Sequence, residues 1–304
     1  MYPLTRQQVS SACSLEMTPV RPYTLPGAKE KGQLLKFSSI ARLSVPPIAR
    51  YTLRYGRALL AGVRHRSLLN RNKPVAATKS GKSVYILGNG PSLNNFDLST
   101  VYDSDVITMN YFHLHPQLEQ FNIVAHCIGE PFSSDSWINP DAMVENTPAQ
   151  SYWFNLDANR FAEGRYSGRQ IHYYLPGVAA DFDVLSTADL SAPTLQYQST
   201  AQMAIMIAMY LGYADVYLLG FDHDWLATRG YSPHFYAEEG TDSGIVKADF
   251  SGISYKTMIE ISKNLFDVYA AIRKISLRLG VNIVNLSEPT FLDIFPTRDS
   301  RHAR

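Results

Sequence analysis

Cysteine is scarce: only Cys13 and Cys127 occur in 304 residues. Their spacing suits neither a zinc site nor a disulfide framework. A reducing cytoplasm is the expected location. Long apolar runs are also missing. No stretch reaches the roughly 18 residues of a membrane span, and the N-terminus lacks the continuous apolar core of a secretory signal. The chain is expected to be soluble, or peripheral on the inner face of a membrane. Several active-site signatures are absent. There is no Gly-x-Ser-x-Gly elbow and no His-Glu-x-x-His. Gly81-Lys82-Ser83 has the look of a P-loop tail, but Ala76 stands where the leading glycine belongs, and the triplet precedes its strand. Gly88-x-Gly90 lacks the third glycine of the dinucleotide fingerprint.

What is present is apolar and aromatic. Hydrophobic residues make up 45% and charged residues 18%, enough for a sizeable core in one large or two modest domains. Tyrosine dominates the aromatics, with 19 copies, and suits stacking and hydroxyl-donor roles in a polar site. The formal net charge of +1 conceals an asymmetry. Residues 1–80 hold 14 of the 28 basic residues and 2 of the 27 acidic ones. A basic arm, 1–80, therefore precedes an acidic globular part, 81–304, and such an arm seeks an anionic surface. Residues 1 to about 33 read as a disordered lead. From Leu34 to Asn70, apolar residues alternate with Arg42, Arg50, Arg54, Arg57, Arg64 and Arg66 on either side of Pro46-Pro47. The pattern reads as an interfacial helix on anionic lipid, or as a helix docked on the domain or a partner with solvated arginines. A membrane surface, rather than nucleic acid, is the expected partner. Asn70 to Ser80 reads as a polar linker.

The folded part turns on Ser83-Val84-Tyr85-Ile86-Leu87-Gly88-Asn89-Gly90-Pro91-Ser92-Leu93. A β-branched, apolar run breaks into a tight turn, as when a buried parallel strand delivers the chain to a ligand loop. The glycines let a ligand approach the backbone, Pro91 stiffens the exit, and Ser92 offers a hydroxyl. A phosphate cradle and an ordinary strand-to-helix turn both fit that grammar. Further strands are predicted at Asp105–Met109, Phe121–Cys127, Ser151–Leu156, Gln170–Leu175, Asp215–Leu219 and Val281–Leu286. A helix apolar nearly all round is predicted over Ser199–Leu211, ended by Gly212, and a long amphipathic one over Tyr255–Leu279. These spacings predict an α/β fold: a Rossmann-like, mostly parallel sheet flanked by helices.

In such a sheet the ligand lies beyond the carboxyl ends of the strands. Gly88, Asn89, Gly90, Pro91 and Ser92 follow the first strand, Asn110 the second, and Asp222-His223-Asp224 the strand at 215–219. Ser199 and Thr200 open the buried helix, where free N–H groups favour a phosphate. Taken alone, plain capping is the simpler reading of the pair. Asp222 and Asp224 are the residues that would hold a divalent metal, if one binds; strand capping by Asp222 is the plainer reading. The stretch from Tyr231 to Glu239 is too long for a turn and reads either as a lid or as a surface loop whose aromatics pack back on the core. Within it His234 can take a proton, while Tyr231 and Tyr236 can donate to a leaving phosphate. His113, His115, His126, His172 and His223 are lesser competitors, and His126 reads as a core residue.

Taken in order, Leu87-Gly88-Asn89-Gly90-Pro91-Ser92-Leu93, Asn110-Tyr111-Phe112, Ser199-Thr200 and Leu218-Leu219-Gly220-Phe221-Asp222 resemble two related groups. One is the bacterial sialyltransferases of glycosyltransferase family 42. The other is the family named after archaeal 6-hydroxymethylpterin diphosphokinase, which includes motility-associated flagellin glycosyltransferases. The resemblance spans about Ser83 to Leu286 and leaves out the basic arm. It implies a sialyltransferase-type domain with a lid over a nucleotide. In the first group the donor is a cytidine-monophosphate sugar. The positions matching its nucleotide contacts are Asn89, Gly90, Ser92 and Asn110, with Ser199 and Thr200 against the donor. The lid histidine that acts as base there matches His234, supported by Tyr231 and Tyr236. Where the family has a second histidine, this chain has Glu238-Glu239. Asp222-His223-Asp224 is closer to the pterin-kinase group.

The resemblance implies an inverting glycosyltransferase moving a sialic-acid-like sugar from a cytidine-monophosphate donor to a surface glycan or glycoprotein, with no cofactor required. Two alternatives remain: a diphosphokinase of a pterin-like molecule using ATP and magnesium, and a nucleotide-binding scaffold without turnover.

Overall fold

The computed structural model describes residues 47–129, 139–180, 187–227, 234–235 and 254–297. Pro46–Arg304 forms one compact unit. Residues 1–46 of the arm, Tyr231, Tyr236 and Glu238-Glu239 lie outside the described residues.

Seven strands form one sheet: β1 (Ser83–Leu87), β2 (Asp105–Met109), β3 (Asn122–Ile128), β4 (Tyr152–Asn155), β5 (Ile171–Tyr174), β8 (Asp215–Leu219) and β9 (Asn282–Asn285). Their order is β5-β4-β3-β2-β1-β8-β9, and every pairing is parallel. The fold is thus α/β with a parallel sheet flanked by helices. β6 (Pro176–Val178) and β7 (Thr194–Leu195) form a separate parallel ribbon. The order runs one way from β1 through β2 to β5 and the other way through β8 to β9. The reversal falls between β1 and β8, where ligands bind in sheets of this kind. These two strands pair from Ser83 opposite Asp215 to Leu87 opposite Leu219, so their carboxyl ends finish level.

Among the described residues, three long helices accompany the sheet: α1 (Pro47–Arg64), α2 (Thr200–Leu211) and α3 (Tyr255–Leu279). In α2 every residue but Ala201 is buried, which explains why its sequence is apolar on all sides. Gln202 Oε1 accepts the N–H groups of Gln198 and Ser199 at 2.7 and 3.2 Å. Its Nε2 donates to the Leu265 carbonyl at 2.8 Å, joining α2 to α3. Gly212 then closes α2 with φ of 95°, a conformation that favours glycine. In α3 the buried residues include Met258, Leu265, Val268, Ile272 and Ile275, spaced to put one stripe on the core. The Ser254 hydroxyl accepts the Thr257 N–H at 3.2 Å and caps its start.

Two stretches differ from their sequence reading. Residues 70–75 are a 3-10 turn, not a plain linker. Asn72 is fully buried there and donates to the carbonyls of Tyr173 and Leu190 at 2.8 and 2.7 Å. The polar residue satisfies internal backbone groups that would otherwise be unpaired. The connections out of β1 and β2 are short 3-10 turns, at Pro91–Asn95, Leu98–Val101 and Asn110–Leu114. The proline and asparagines in these short runs do not support longer helices.

Candidate nucleotide site

The carboxyl ends of β1 and β8 meet through glycine. The Gly88 N–H donates to the Leu219 carbonyl at 2.7 Å, and the Gly90 N–H to the Gly220 carbonyl at 3.0 Å. A methyl group at Gly88 would lie 2.5 Å from the Gly220 oxygen. Gly220 itself has φ of 75°, and a methyl there would lie 2.8 Å from the Gly88 oxygen. Only glycine at both positions lets the two backbones close to this distance.

Beyond this seam Asp222 holds the loop. Its Oδ2 accepts the Ser92 N–H at 2.9 Å, and its Oδ1 accepts the Ser92 hydroxyl. Burial raises the Asp222 carboxyl above its ordinary pKa. The two Ser92 hydrogen bonds oppose the rise, and Asp224 adds to it. Asp222 therefore acts on the Gly88–Ser92 turn from beneath, and both its oxygens are already engaged. The Asp222 backbone is fixed in turn: its carbonyl accepts from the Phe291 N–H at 2.8 Å. The Phe221 N–H donates to the Ser287 hydroxyl at 2.8 Å, and the Thr290 hydroxyl donates to the Phe221 carbonyl at 2.6 Å.

Asn110 follows β2 with φ of 46°, a strained angle for a residue with a side chain, though asparagine tolerates it better than most. Its Nδ2 donates to the Thr200 hydroxyl at 3.1 Å, linking the end of β2 to the start of α2. Thr200 also abuts the end of β3, where a methyl at Gly129 would lie 2.4 Å from its hydroxyl. Asn89 donates weakly to the Met109 carbonyl at 3.4 Å. Among the described residues, the side-chain oxygens of Asn89 and Asn110 are buried without hydrogen-bond partners. They are acceptors that a ligand's N–H or O–H groups would satisfy.

These residues line one cleft of about 160 Å³, which includes Gly88, Asn89, Gly90, Asn110, Ser199, Thr200, Asp222 and His234. Ser92 lies below it as a tether, and Pro91 begins the 3-10 turn that leads away. The amino end of α2 opens onto the cleft through Ser199, Thr200 and Ala201, so its dipole places partial positive charge there. His234 is exposed at the rim. Its neighbour Phe235 is pinned to the loop: the Phe235 N–H donates to the Asn89 carbonyl at 2.9 Å. The Phe235 ring packs edge-on against Phe112, with centroids 5.6 Å apart. Sequence separation of more than 140 residues thus collapses to direct contact. Of the predicted lid residues, His234 reaches the cleft, while Tyr231 and Tyr236 are outside the described residues.

The other histidines are placed differently. His223 has φ of 54° and lines the cleft, but its Nε2 pairs with the Tyr269 hydroxyl at 2.8 Å. Burial lowers its pKa to about 4, so the ring is neutral at pH 7. His126 is a core residue, with Nδ1 2.8 Å from the Thr108 hydroxyl and a pKa depressed by burial to about 3. His172 stacks on Trp153 inside the protein. Trp225 forms part of the cleft wall and escaped the sequence reading, as did Ser287 and Thr290. A single tryptophan after Asp224 and two hydroxyl residues near the chain end carry no motif.

No protein-family profile matches this chain, and no curated protein matches it in sequence. Among solved structures it is similar in part to the MAf glycosyltransferase of Magnetospirillum magneticum AMB-1, at 14% identity and a TM-score of 0.44. That match covers 79% of this chain, which spans only 39% of the other. It is also similar to a mammalian sialyltransferase in complex with Gal-beta-1-3GalNAc-ortho-nitrophenol, at 12% identity and a TM-score of 0.33, covering 75% of this chain and 84% of that one.

Proposed function

We propose that the chain is a glycosyltransferase that takes a sugar from a nucleotide donor, a cytidine-monophosphate-linked acidic sugar, and passes it to a hydroxyl of a glycan or glycoprotein. The observation that carries this reading is the convergence of four separate segments on one cleft at the β1/β8 reversal: the Gly88–Gly90 turn, Asn110, the amino end of α2, and His234. The helix end suits a phosphate, and the glycine turn, bare of side chains, gives it room. The unpaired Asn89 and Asn110 oxygens suit the N–H and O–H groups of a nucleoside. Histidine at the rim suits proton transfer from an incoming alcohol.

In this mechanism His234 takes the acceptor hydroxyl proton as that oxygen bonds to the anomeric carbon. The bond from that carbon to the phosphate oxygen breaks on the opposite face, and the configuration inverts. The departing nucleotide keeps the electron pair. Its charge is received by the amino end of α2, where Thr200 and Ala201 line the cleft. In the alternative with magnesium, Asp222 and Asp224 would hold the ion, Asp222 through lone pairs not engaged by Ser92.

A thermal-shift panel of CMP, CDP, UDP, GDP and ATP, each with and without magnesium, tests the reading. Stabilisation by CMP without metal is expected. Stabilisation by ATP only with magnesium would move the function to diphosphate transfer. His234→Ala is expected to keep CMP binding and lose transfer, and full transfer by that variant would remove His234 as the base.

A further inference from the structure

Helix α1 is seated with its small residues inward. A methyl at Gly177 in β6 would lie 2.5 Å from the Ala58 side chain. One at Gly62 would lie 3.5 Å from Pro193 and 3.6 Å from Leu175. Ala58 is buried and Gly62 partly so, and the half-buried Tyr51 and Tyr55 share a groove with Gly177 and Val178. Residues 51, 55, 58 and 62 recur at helical spacing and define the docked face. The helix therefore meets the β6/β7 ribbon by close backbone approach at Ala58 and Gly62, with Tyr51 and Tyr55 half-buried along the same face.

Exposed aliphatic side chains are on the other side. Leu53, Leu60 and Val63 are 64%, 72% and 76% exposed. Leu53 and Leu60 are two turns apart on one line, with Val63 beside it. Arg57 and Arg64 each follow one of these leucines by four residues and form a parallel strip, bordered by Arg54. No Asp or Glu occurs anywhere between Lys31 and Phe96. Among the described residues, none of Arg54, Arg57 and Arg64 joins an ion pair. An apolar strip beside a row of uncompensated arginines, on a helix already anchored along its opposite face, is a surface left for something else to cover.

We propose that this outward face of α1 seats the protein on an anionic lipid bilayer. The charge complement is direct, and the shape suits a plane: leucine and valine enter the headgroup boundary while the arginines reach the phosphates. Among the described residues no helix is long and apolar enough to cross a membrane, so the attachment is interfacial. β6 continues the chain from the carboxyl end of β5, and all sheet strands are parallel. The helix consequently lies at the same end of the sheet as Gly88, Asn110 and Gly220. A lipid-seated α1 would bring that end, with its cleft, to the membrane.

The test is co-sedimentation of the full chain with phosphatidylcholine vesicles, with and without phosphatidylglycerol. The wild type is expected to bind only the anionic vesicles, and less tightly as salt rises. Arg54→Gln/Arg57→Gln/Arg64→Gln is expected to weaken binding about fivefold per arginine. Leu53→Ser/Leu60→Ser is expected to weaken it at least tenfold, through lost apolar insertion. Both sets of side chains are exposed, so melting temperatures matching the wild type confirm that each variant is folded. Equal binding to neutral and anionic vesicles overturns the proposal, as does undiminished binding by both variants, which would assign attachment to residues 1–46. A wild-type dimer in solution that the leucine variant dissociates, with vesicle binding unchanged, also overturns it and makes a second copy the occupant.

Discussion

Asp222 and Ser92 are joined twice, one carboxylate oxygen accepting the Ser92 N–H at 2.9 Å and the other its hydroxyl. The loop after β1 is thereby tethered to the end of β8. Asp222→Ala is expected to leave the buried Ser92 N–H without a partner and to cost about 2 kcal/mol of stability. Ser92→Ala removes one of the two bonds and is expected to cost less. Urea unfolding measures both, and a stable Asp222→Ala variant would show that the tether does not hold the loop.

Gly129 offers a more selective probe. Its absent side chain makes room for the Thr200 hydroxyl, and a methyl there would lie 2.4 Å from that oxygen. Gly129→Ala is expected to turn Thr200 away from Asn110, breaking their 3.1 Å hydrogen bond. Because only a side chain must yield, the stability loss should stay near 1 kcal/mol. Nucleotide affinity should fall by about tenfold, the equivalent of roughly 1.4 kcal/mol. Isothermal titration calorimetry with CMP reads this directly. Unchanged affinity would separate the Asn110–Thr200 link from ligand binding.

Much of this arrangement is legible in the sequence. The strands at 83–87, 105–109 and 215–219 and the helix at 255–279 match their sequence boundaries, because apolar runs bounded by glycine or charge leave little freedom. The convergence of Asn110, Thr200 and the glycine turn followed from strand polarity. The partners of Asp222 did not follow: a carboxylate at a strand end reads alike as metal ligand, nucleotide contact or tether until Ser92 is seen beneath it. The seating of α1 was hidden for a related reason. Amphipathic spacing marks two faces but not which one docks, and here the close approach of Ala58 to Gly177 decides it.

Acid should unfold the protein through its internal histidines. His126 has a pKa depressed to about 3 by burial, with His113 adding to the effect. His172 is lowered to about 4 by burial and by Arg71, and His223 to about 4 by burial. Each binds its proton more readily in the unfolded chain, whose histidines titrate near pH 6.5. Stability is therefore whole above that pH and falls as pH drops toward 4, by about 1.4 kcal/mol per unit for each such group. Melting temperature should decline steeply between pH 6.5 and 5. His126→Gln, which can retain the hydrogen bond with Thr108, is expected to flatten the decline. A melting temperature constant across that range would mean these rings are solvated in the fold.

Asn110 sets stability against binding at a single residue. Its φ of 46° suits glycine better than any residue bearing a side chain, yet its amide bonds Thr200 and leaves a buried acceptor open at the cleft. Asn110→Gly should relieve the backbone while deleting the amide. Its stability is expected to stay within about 1 kcal/mol of the wild type, with CMP binding lost. Asn110→Ala deletes the same amide but keeps the strained angle, and asparagine bears that angle better than alanine. It should lose binding equally and melt lower than the glycine variant. The two variants thus share a binding defect and differ in stability, a pattern that loss of folding alone cannot produce. Retention of wild-type CMP affinity by Asn110→Gly would remove Asn110 from the site and leave its backbone angle as a feature of the turn into Tyr111.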